Sequence, residues 1–193
     1  NGWGGYLVGR IRDIGIGDLL GRPMVAPDPA LLRRAVEGKT VFVSGAGGSI
    51  GSELSRQIVE LKPKAVVLLD IDEFALYEID RALQSGGKAP ITPVLGSVTD
   101  RRLLERLFSK FEIETVFHAA AYKHVPLVER NALIGIENNV LGTWTLAEVA
   151  YAHDVECFVL ISTDKAVRPT NVMGATKRWA ELIVHSFAAS SEA

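Results

Sequence analysis

From residue 39 onward, apolar residues alternate between two spacings. Short continuous runs of β-branched, aromatic and aliphatic residues at 40–44, 65–69, 91–95, 115–119 and 155–161 predict strands. Between and after them, 50–61, 73–83, 99–110, 133–152 and 171–189 predict helices. The first of these stops near Pro63; the second ends at Gly86 and Gly87, with Phe74, Leu76, Tyr77 and Ile79 on or near its apolar face. Asp100 falls in the first turn of the third. Pro93 lies inside the third strand and points to an edge position, because proline has no N–H for an inner ladder. Continuous apolar strands separated by helices predict a parallel sheet covered on both faces. With right-handed crossovers, this is an α/β fold: a doubly wound, Rossmann-like parallel sheet.

Residues 1–38 read differently and are expected to form a leader that packs on a domain spanning 39–193. Seven glycines from Gly2 to Gly21 interrupt any long helix, and Pro23, Pro27 and Pro29 follow. Ile11, Ile14, Ile16, Leu19 and Leu20 suggest a packing segment. Asp28-Pro29 before 30–36 predicts a short capped helix with proline at its first position.

Hydrophobic residues at 48% and charged residues at 23% fit an ordinary globular domain, and a net charge of −2 excludes a broad nucleic-acid-binding field. The one cysteine, Cys157, lies in an apolar run and is expected to be a buried strand residue in a reducing compartment. No apolar stretch approaches the roughly 18 residues that span a bilayer, and no signal peptide is visible. His153 and His185 lack partners at ligand spacing, so no metal site is expected. The chain begins at Asn1 and stops soon after a lysine motif, and so reads as a piece of a longer protein.

The clearest chemistry follows the first strand. Gly45, Gly48 and Gly51 form GxxGxxG between a strand and a helix, with Ser49 and Ile50 at the turn into the helix. Missing Cβ atoms let backbone approach a pyrophosphate, and the helix N-terminus offers unpaired N–H groups to the anion. Asp70 ends the second strand 19 residues after Gly51, the position of an acid that accepts bonds from ribose hydroxyls. Its charge repels a 2′-phosphate and no arginine stands beside it, so NAD is expected over NADP. After the third strand, Ser97 and Val98 are candidates for the adenine side.

Near the end, Lys165 and Lys177 lie in Ser162-Thr163-Asp164-Lys165 and Asn171-Val172-Met173-Gly174-Ala175-Thr176-Lys177. Met173 and Lys177 have the spacing at which short-chain dehydrogenase/reductases put a catalytic tyrosine before a lysine. A thioether cannot move a proton usefully near neutral pH. Any proton chemistry must then use other groups, of which Asp164 and Lys165 are the nearest candidates. Adjacent strand residues face opposite ways, so both reach one substrate only if the strand has ended by Thr163.

GxxGxxG, His118-Ala119-Ala120-Ala121, Asn139-Val140-Leu141-Gly142-Thr143 and the Met173/Lys177 spacing resemble the extended short-chain dehydrogenase/reductases. More narrowly, 121–126 and 162–177 look like the nucleoside-diphosphate-sugar 4,6-dehydratases of bacterial polysaccharide and glycan synthesis. The resemblance implies a UDP-sugar substrate, mainly UDP-N-acetylglucosamine, and NAD as a tightly held catalyst. It implies oxidation at C4, loss of water across C5 and C6, and return of the hydride to C6. Methionine at 173 and the segment 18–23 are similar to the long, membrane-anchored members, so the parent is expected at the inner membrane with a cytoplasmic catalytic domain. In the family, the C-terminal part that completes the sugar-nucleotide pocket follows the last helix found here.

By this resemblance, Ala119, Ala120 and Ala121 line the cofactor and Lys177 holds its nicotinamide ribose. Lys165 is the candidate base if desolvation and Lys177 lower its pKa, and Asp164 the candidate acid if apolar surroundings raise its pKa. Thr163 is a candidate to bond O4; deprotonation of O4 falls to Thr163, Asp164 or water. Lys123, His124 and Asn139 are candidates on the substrate side. Asn139 is expected to tie its helix to the site loop through ordered water, with plain packing as the alternative. His118 is expected to be a buried, hydrogen-bonded strand residue. Two other readings stand: a C4 epimerase on the same scaffold, for which tyrosine at 173 would be expected, and an inactive NAD-binding module. A homo-oligomer is open.

Overall fold

The computed structural model describes residues 28–86 and 88–191; of the leader expected over 1–38, residues 1–27 lie outside them. The described part of the chain opens with helix α1 (Pro29–Val36), whose first turn is closed by Asp28 accepting from the Ala30 N–H at 2.9 Å, with proline at its start as expected.

Five strands follow: β1 (Thr40–Ser44), β2 (Ala65–Asp70), β3 (Ile91–Leu95), β4 (Thr115–His118) and β5 (Cys157–Leu160). They form one parallel sheet in the order β3-β2-β1-β4-β5. Pro93 is on the edge strand β3, where its missing donor faces no neighbour strand. The helices between them are α2 (Ser49–Glu60), α3 (Glu73–Gln84) and α4 (Arg101–Phe111). After β4 come α5 (Val125–Arg130), α6 (Ala132–Ile136) and α7 (Gly142–Ala152), and after β5 comes α8 (Val172–Ser191).

The strand period of two divides the core between the faces of the sheet. Val41 and Val43 of β1 pack with Ile58 and Val59 of α2 and Leu76, Ile79 and Leu83 of α3. Phe42 points the other way and packs with Leu104, Leu107 and Phe108 of α4 and Leu146 and Val149 of α7. Its ring lies 5.3 Å from that of Phe108. Each such fully buried side chain stabilises by roughly 1.5–3 kcal/mol relative to exposure, which is why these strands are apolar throughout. Phe74 and Tyr77 differ from expectation: they are 73% and 56% exposed, and Leu76, Ile79 and Leu83 alone form the buried stripe of α3. Cys157 also differs: as part of the edge strand β5 it is half-buried, and partial desolvation still pushes its thiol pKa up.

Two features interrupt the expected pattern. The helix expected over 133–152 is continuous in direction but contains a π-turn, Glu137–Leu141, between α6 and α7. Strand β5 ends at Leu160, and Asp164–Ala166 forms a single 3₁₀ turn. Among the described residues no helix is long and apolar enough to cross a membrane.

Candidate active site

The strand order reverses between β1 and β4. The chain leaves β1 into α2 on one face and leaves β4 toward α7 on the other, so a crevice opens at the carboxyl ends of the strands. A cleft of about 550 Å³ lies there.

Its floor is the glycine loop. Gly45 has φ +67°, in the left-handed region, and a Cβ there would come within 2.6 Å of the Ala120 backbone nitrogen. A Cβ on Gly51 would meet the Gly45 carbonyl oxygen at 1.9 Å. The loop therefore closes only with glycine at both positions. Gly48 caps α2 without a side-chain acceptor, which leaves the first-turn N–H groups, from Ser49, Ile50 and Gly51, available to an anion. Asp70 borders the cleft and accepts from the Gly47 N–H at 2.8 Å and the Asp72 N–H at 2.9 Å. Ser97, Val98, Ala119, Ala120 and Ala121 complete this half of the wall. The set fits a dinucleotide: close backbone approach, a helix N-terminus for phosphate, and an acid for ribose hydroxyls.

The other half gathers residues from three segments. Lys123 and His124 come from the exit of β4, where His124 also starts α5; Thr163 and Lys165 come from the exit of β5; Met173 and Lys177 come from the first turns of α8. Met173 is buried in the cleft wall. Lys177 is buried too, and its Nζ donates to the Ile161 carbonyl at 2.7 Å. Burial lowers its pKa to about 8, with the Glu181 carboxylate pulling the other way.

Asp164 and Lys165 depart from expectation. The strand has ended before them, as a shared site requires, but only Lys165 lines the cleft. Asp164 is exposed; a hydrogen bond from the Thr163 hydroxyl at 2.9 Å, and then the Lys165 charge, hold its carboxyl below the usual range. Apolar surroundings that would raise it are absent among the described residues. Lys165 lies 3.6 Å from Asp164, with its side chain 53% exposed, so the desolvation expected for it is not supplied here either.

Asn139 is corrected from a substrate contact to a structural tie. It is 1% exposed, and its side chain bonds directly to protein groups without an intervening water. Oδ1 accepts from the Tyr122 N–H at 2.8 Å, and Nδ2 donates to the Tyr122 carbonyl and to Thr176 Oγ1, both at 3.0 Å. The π-turn brings this amide against the loop after β4 and the start of α8. The cleft is lined by Asn138 at this point.

His118 is buried and bonded as expected, and its neighbours assign its tautomer. Thr143 donates its one hydroxyl proton to the Asn139 carbonyl at 2.6 Å, so it accepts from His118 Nε2–H at 2.9 Å. Nδ1 then accepts from the Ser44 hydroxyl at 2.6 Å. Burial, with a smaller contribution from the Lys177 charge, lowers the His118 pKa to about 3, so the ring is neutral. Sequence reading missed Glu181, which accepts from the Ser162 hydroxyl at 2.6 Å, and Glu129, which accepts from the Val172 N–H at 2.5 Å where α8 begins. The spacing of Lys177 and Glu181, one helical turn, is the signal that could have found the first.

The comparisons with known proteins agree with this geometry. The model of the polysaccharide biosynthesis protein family matches residues 41–193. The capsular polysaccharide biosynthesis protein CapD of Staphylococcus aureus is 44% identical over 181 residues, covering 93% of this chain and 30% of that protein. A UDP-N-acetylglucosamine 4,6-dehydratase (inverting) of Campylobacter jejuni is 30% identical over 141 residues, 72% of this chain and 41% of that protein. A UDP-glucose 4-epimerase of Rickettsia canadensis is 31% identical over 144 residues, 72% of this chain and 40% of that protein. The X-ray structure of Pen from Bacillus thuringiensis superposes with a TM-score of 0.75 at 28% identity, covering 81% of this chain and 47% of that one. The chain thus spans between 30% and 41% of the length of CapD and the dehydratase. With a doubly wound sheet, a dinucleotide-shaped cleft and these relatives, the chain belongs to the polysaccharide biosynthesis protein family, whose relatives here include enzymes that modify sugar nucleotides.

Proposed function

We propose that the protein carrying this chain is an NAD-dependent 4,6-dehydratase of a UDP-N-acetylhexosamine, with UDP-N-acetylglucosamine as the first substrate to test. One observation carries the reading: the glycine loop, Lys177, Thr163 and Lys165 meet in one cleft, with Met173 where a proton-moving tyrosine would stand. The membrane-anchored placement of the longer protein belongs to the same reading and rests on Met173 and the segment 18–23.

NAD bound here would supply the acceptor of the C4 hydride and then its donor to C6, so the C4 ketone stays in the product and water is the only net loss. The N–H groups at the start of α2 hold its pyrophosphate, and Asp70 accepts from its ribose hydroxyls. Lys177, with a pKa of about 8, is protonated at neutral pH, holds the nicotinamide ribose and keeps positive charge beside the reacting carbon. Thr163 bonds O4, and Lys165, once substrate or further protein covers it from water, takes the C5 proton that the neighbouring ketone acidifies. Asp164 delivers a proton to the departing O6 once substrate or further protein covers it from water. Met173 takes no part in proton transfer, so the O4 proton leaves through Thr163, Asp164 or water.

An epimerase is the second reading, because a UDP-glucose 4-epimerase is among the relatives. It requires hydride return to C4 and no elimination, and the Asp164/Lys165 pair has no use in it. The longer protein, incubated with UDP-N-acetylglucosamine and NAD, is expected to yield a product lighter by one water. Asp164→Asn and Lys165→Ala are each expected to lower turnover about 10²-fold or more. Full activity in both variants would reject these roles, and a product of unchanged mass would favour the epimerase.

A further inference from the structure

Glu181 is a partly buried carboxylate that the steps above do not use. One oxygen accepts from the Ser162 hydroxyl at 2.6 Å and the other from Arg178 at 2.9 Å. One turn earlier on α8, Lys177 donates to the carbonyl of Ile161 at 2.7 Å. Two side chains at i and i+4 on one helix face therefore grip two consecutive residues at the exit of β5. The next residues are Thr163, Asp164 and Lys165, and Ile161, Ser162, Thr163 and Lys165 all border the cleft.

We propose that Glu181 is a positioning residue of the site: its carboxylate holds the exit of β5 through Ser162 and offsets the positive charge of Lys177 one turn away. The charged and titratable groups facing Lys177 support this assignment. From β4 comes His118, which is neutral. From the 3₁₀ turn comes Lys165, across the shared cleft. From α8 itself come Arg178, already paired with Glu181, and Glu181. Glu181 is thus the negative group that opposes the effect of burial on Lys177. The Ser162 hydrogen bond, followed by Arg178, keeps its own carboxyl below the usual range and hence ionised at neutral pH.

Two variants separate its two parts. Glu181→Gln keeps the shape and an oxygen for the Ser162 hydroxyl but removes the charge; Ser162→Ala removes the grip and keeps the charge. The inference rests on the dehydratase reading only for what the site does, so both readouts use the chain without sugar nucleotide. The first is the NMR titration of the Lys177 ¹³Cε signal, assigned by its loss in Lys177→Arg. The midpoint is expected to fall by about half a pH unit or more in Glu181→Gln, to return part of the way in Glu181→Asp, and to stay in Ser162→Ala. The second is amide exchange at Ala166 and Val167, which close the 3₁₀ turn by bonding to the Thr163 and Asp164 carbonyls. Exchange is expected to quicken about threefold or more in Ser162→Ala and less in Glu181→Gln. An unmoved Lys177 midpoint in Glu181→Gln would overturn the electrostatic part, and unchanged exchange in Ser162→Ala the grip. Failure of the dehydratase reading would appear instead in the product mass, with both of these results intact.

Discussion

Lys177 lies in the wall of the cleft, where α8 buries it with one carbonyl partner and one carboxylate a turn away. Its pKa of about 8 lies below the ordinary 10.5, so the charged form is disfavoured in the folded state. Below pH 8 both folded and unfolded chains hold the proton, and the full penalty stands. Between about 8 and 10.5 the unfolded chain binds a proton that the folded chain has released, so this residue's contribution raises stability as pH rises through that window. At about 1.4 kcal/mol per pH unit, the gain is roughly 3 kcal/mol. Urea unfolding of the wild type and of Lys177→Met across this range is expected to show the difference between them shrinking as pH rises. Parallel curves would contradict it. A sequence identifies the lysine by its spacing from Met173, but its pKa comes from the wall built around it. The same holds for Asp164, whose exposure and bond from Thr163 reverse the direction expected of it.

Among the elements, the π-turn of 137–141 does most to join the site. It brings Asn139 against both backbone groups of Tyr122 and against Thr176, so the loop after β4 and the helix carrying Lys177 are tied to one side chain. Asn139→Ala would leave the buried amide partners unsatisfied, each at a cost of about 1–3 kcal/mol. The variant is expected to lose roughly 2–4 kcal/mol of stability in urea titration, and NAD affinity is expected to fall with it. A loss below about 0.5 kcal/mol would mean that water replaces the amide without cost. Most element positions were legible, because apolar runs and helical periodicity report local burial. The interior of the long helix was not: an asparagine in mid-helix is compatible with surface, packing or a bulge, and only its partners 17 and 37 residues away choose among them. Likewise Phe74 and Tyr77 were read as part of the apolar face of α3, yet Leu76, Ile79 and Leu83 form the buried stripe and these two rings stay outside.

At the scale of the molecule, the cleft exists because β1 and β4 send their following helices to opposite faces. Asp70 reaches its rim at the end of β2 and, held by the Gly47 and Asp72 amides, presents a fixed negative group where a ribose would lie. NAD is therefore expected to bind more tightly than NADP, and Asp70→Asn to narrow the ratio about tenfold by removing the repulsion. Tighter binding of NADP by the wild type, in a fluorescence titration, would contradict this.

By itself, the sequence determined the five strands and the main helices though not α5, the doubly wound class, the glycine loop with the acid that ends β2, and the set of residues around Met173 and Lys177. These follow from local rules: burial periods, the need for glycine where backbone meets backbone, and short spacings along one helix. The tertiary structure decided which of those residues share the cleft. It turned Asn139 into an internal tie, fixed the tautomer and neutrality of His118, left Asp164 in solvent and brought Glu181 to Lys177 and Ser162. Those outcomes depend on distances between segments far apart in the chain, and desolvation and charge act through space without regard to sequence separation.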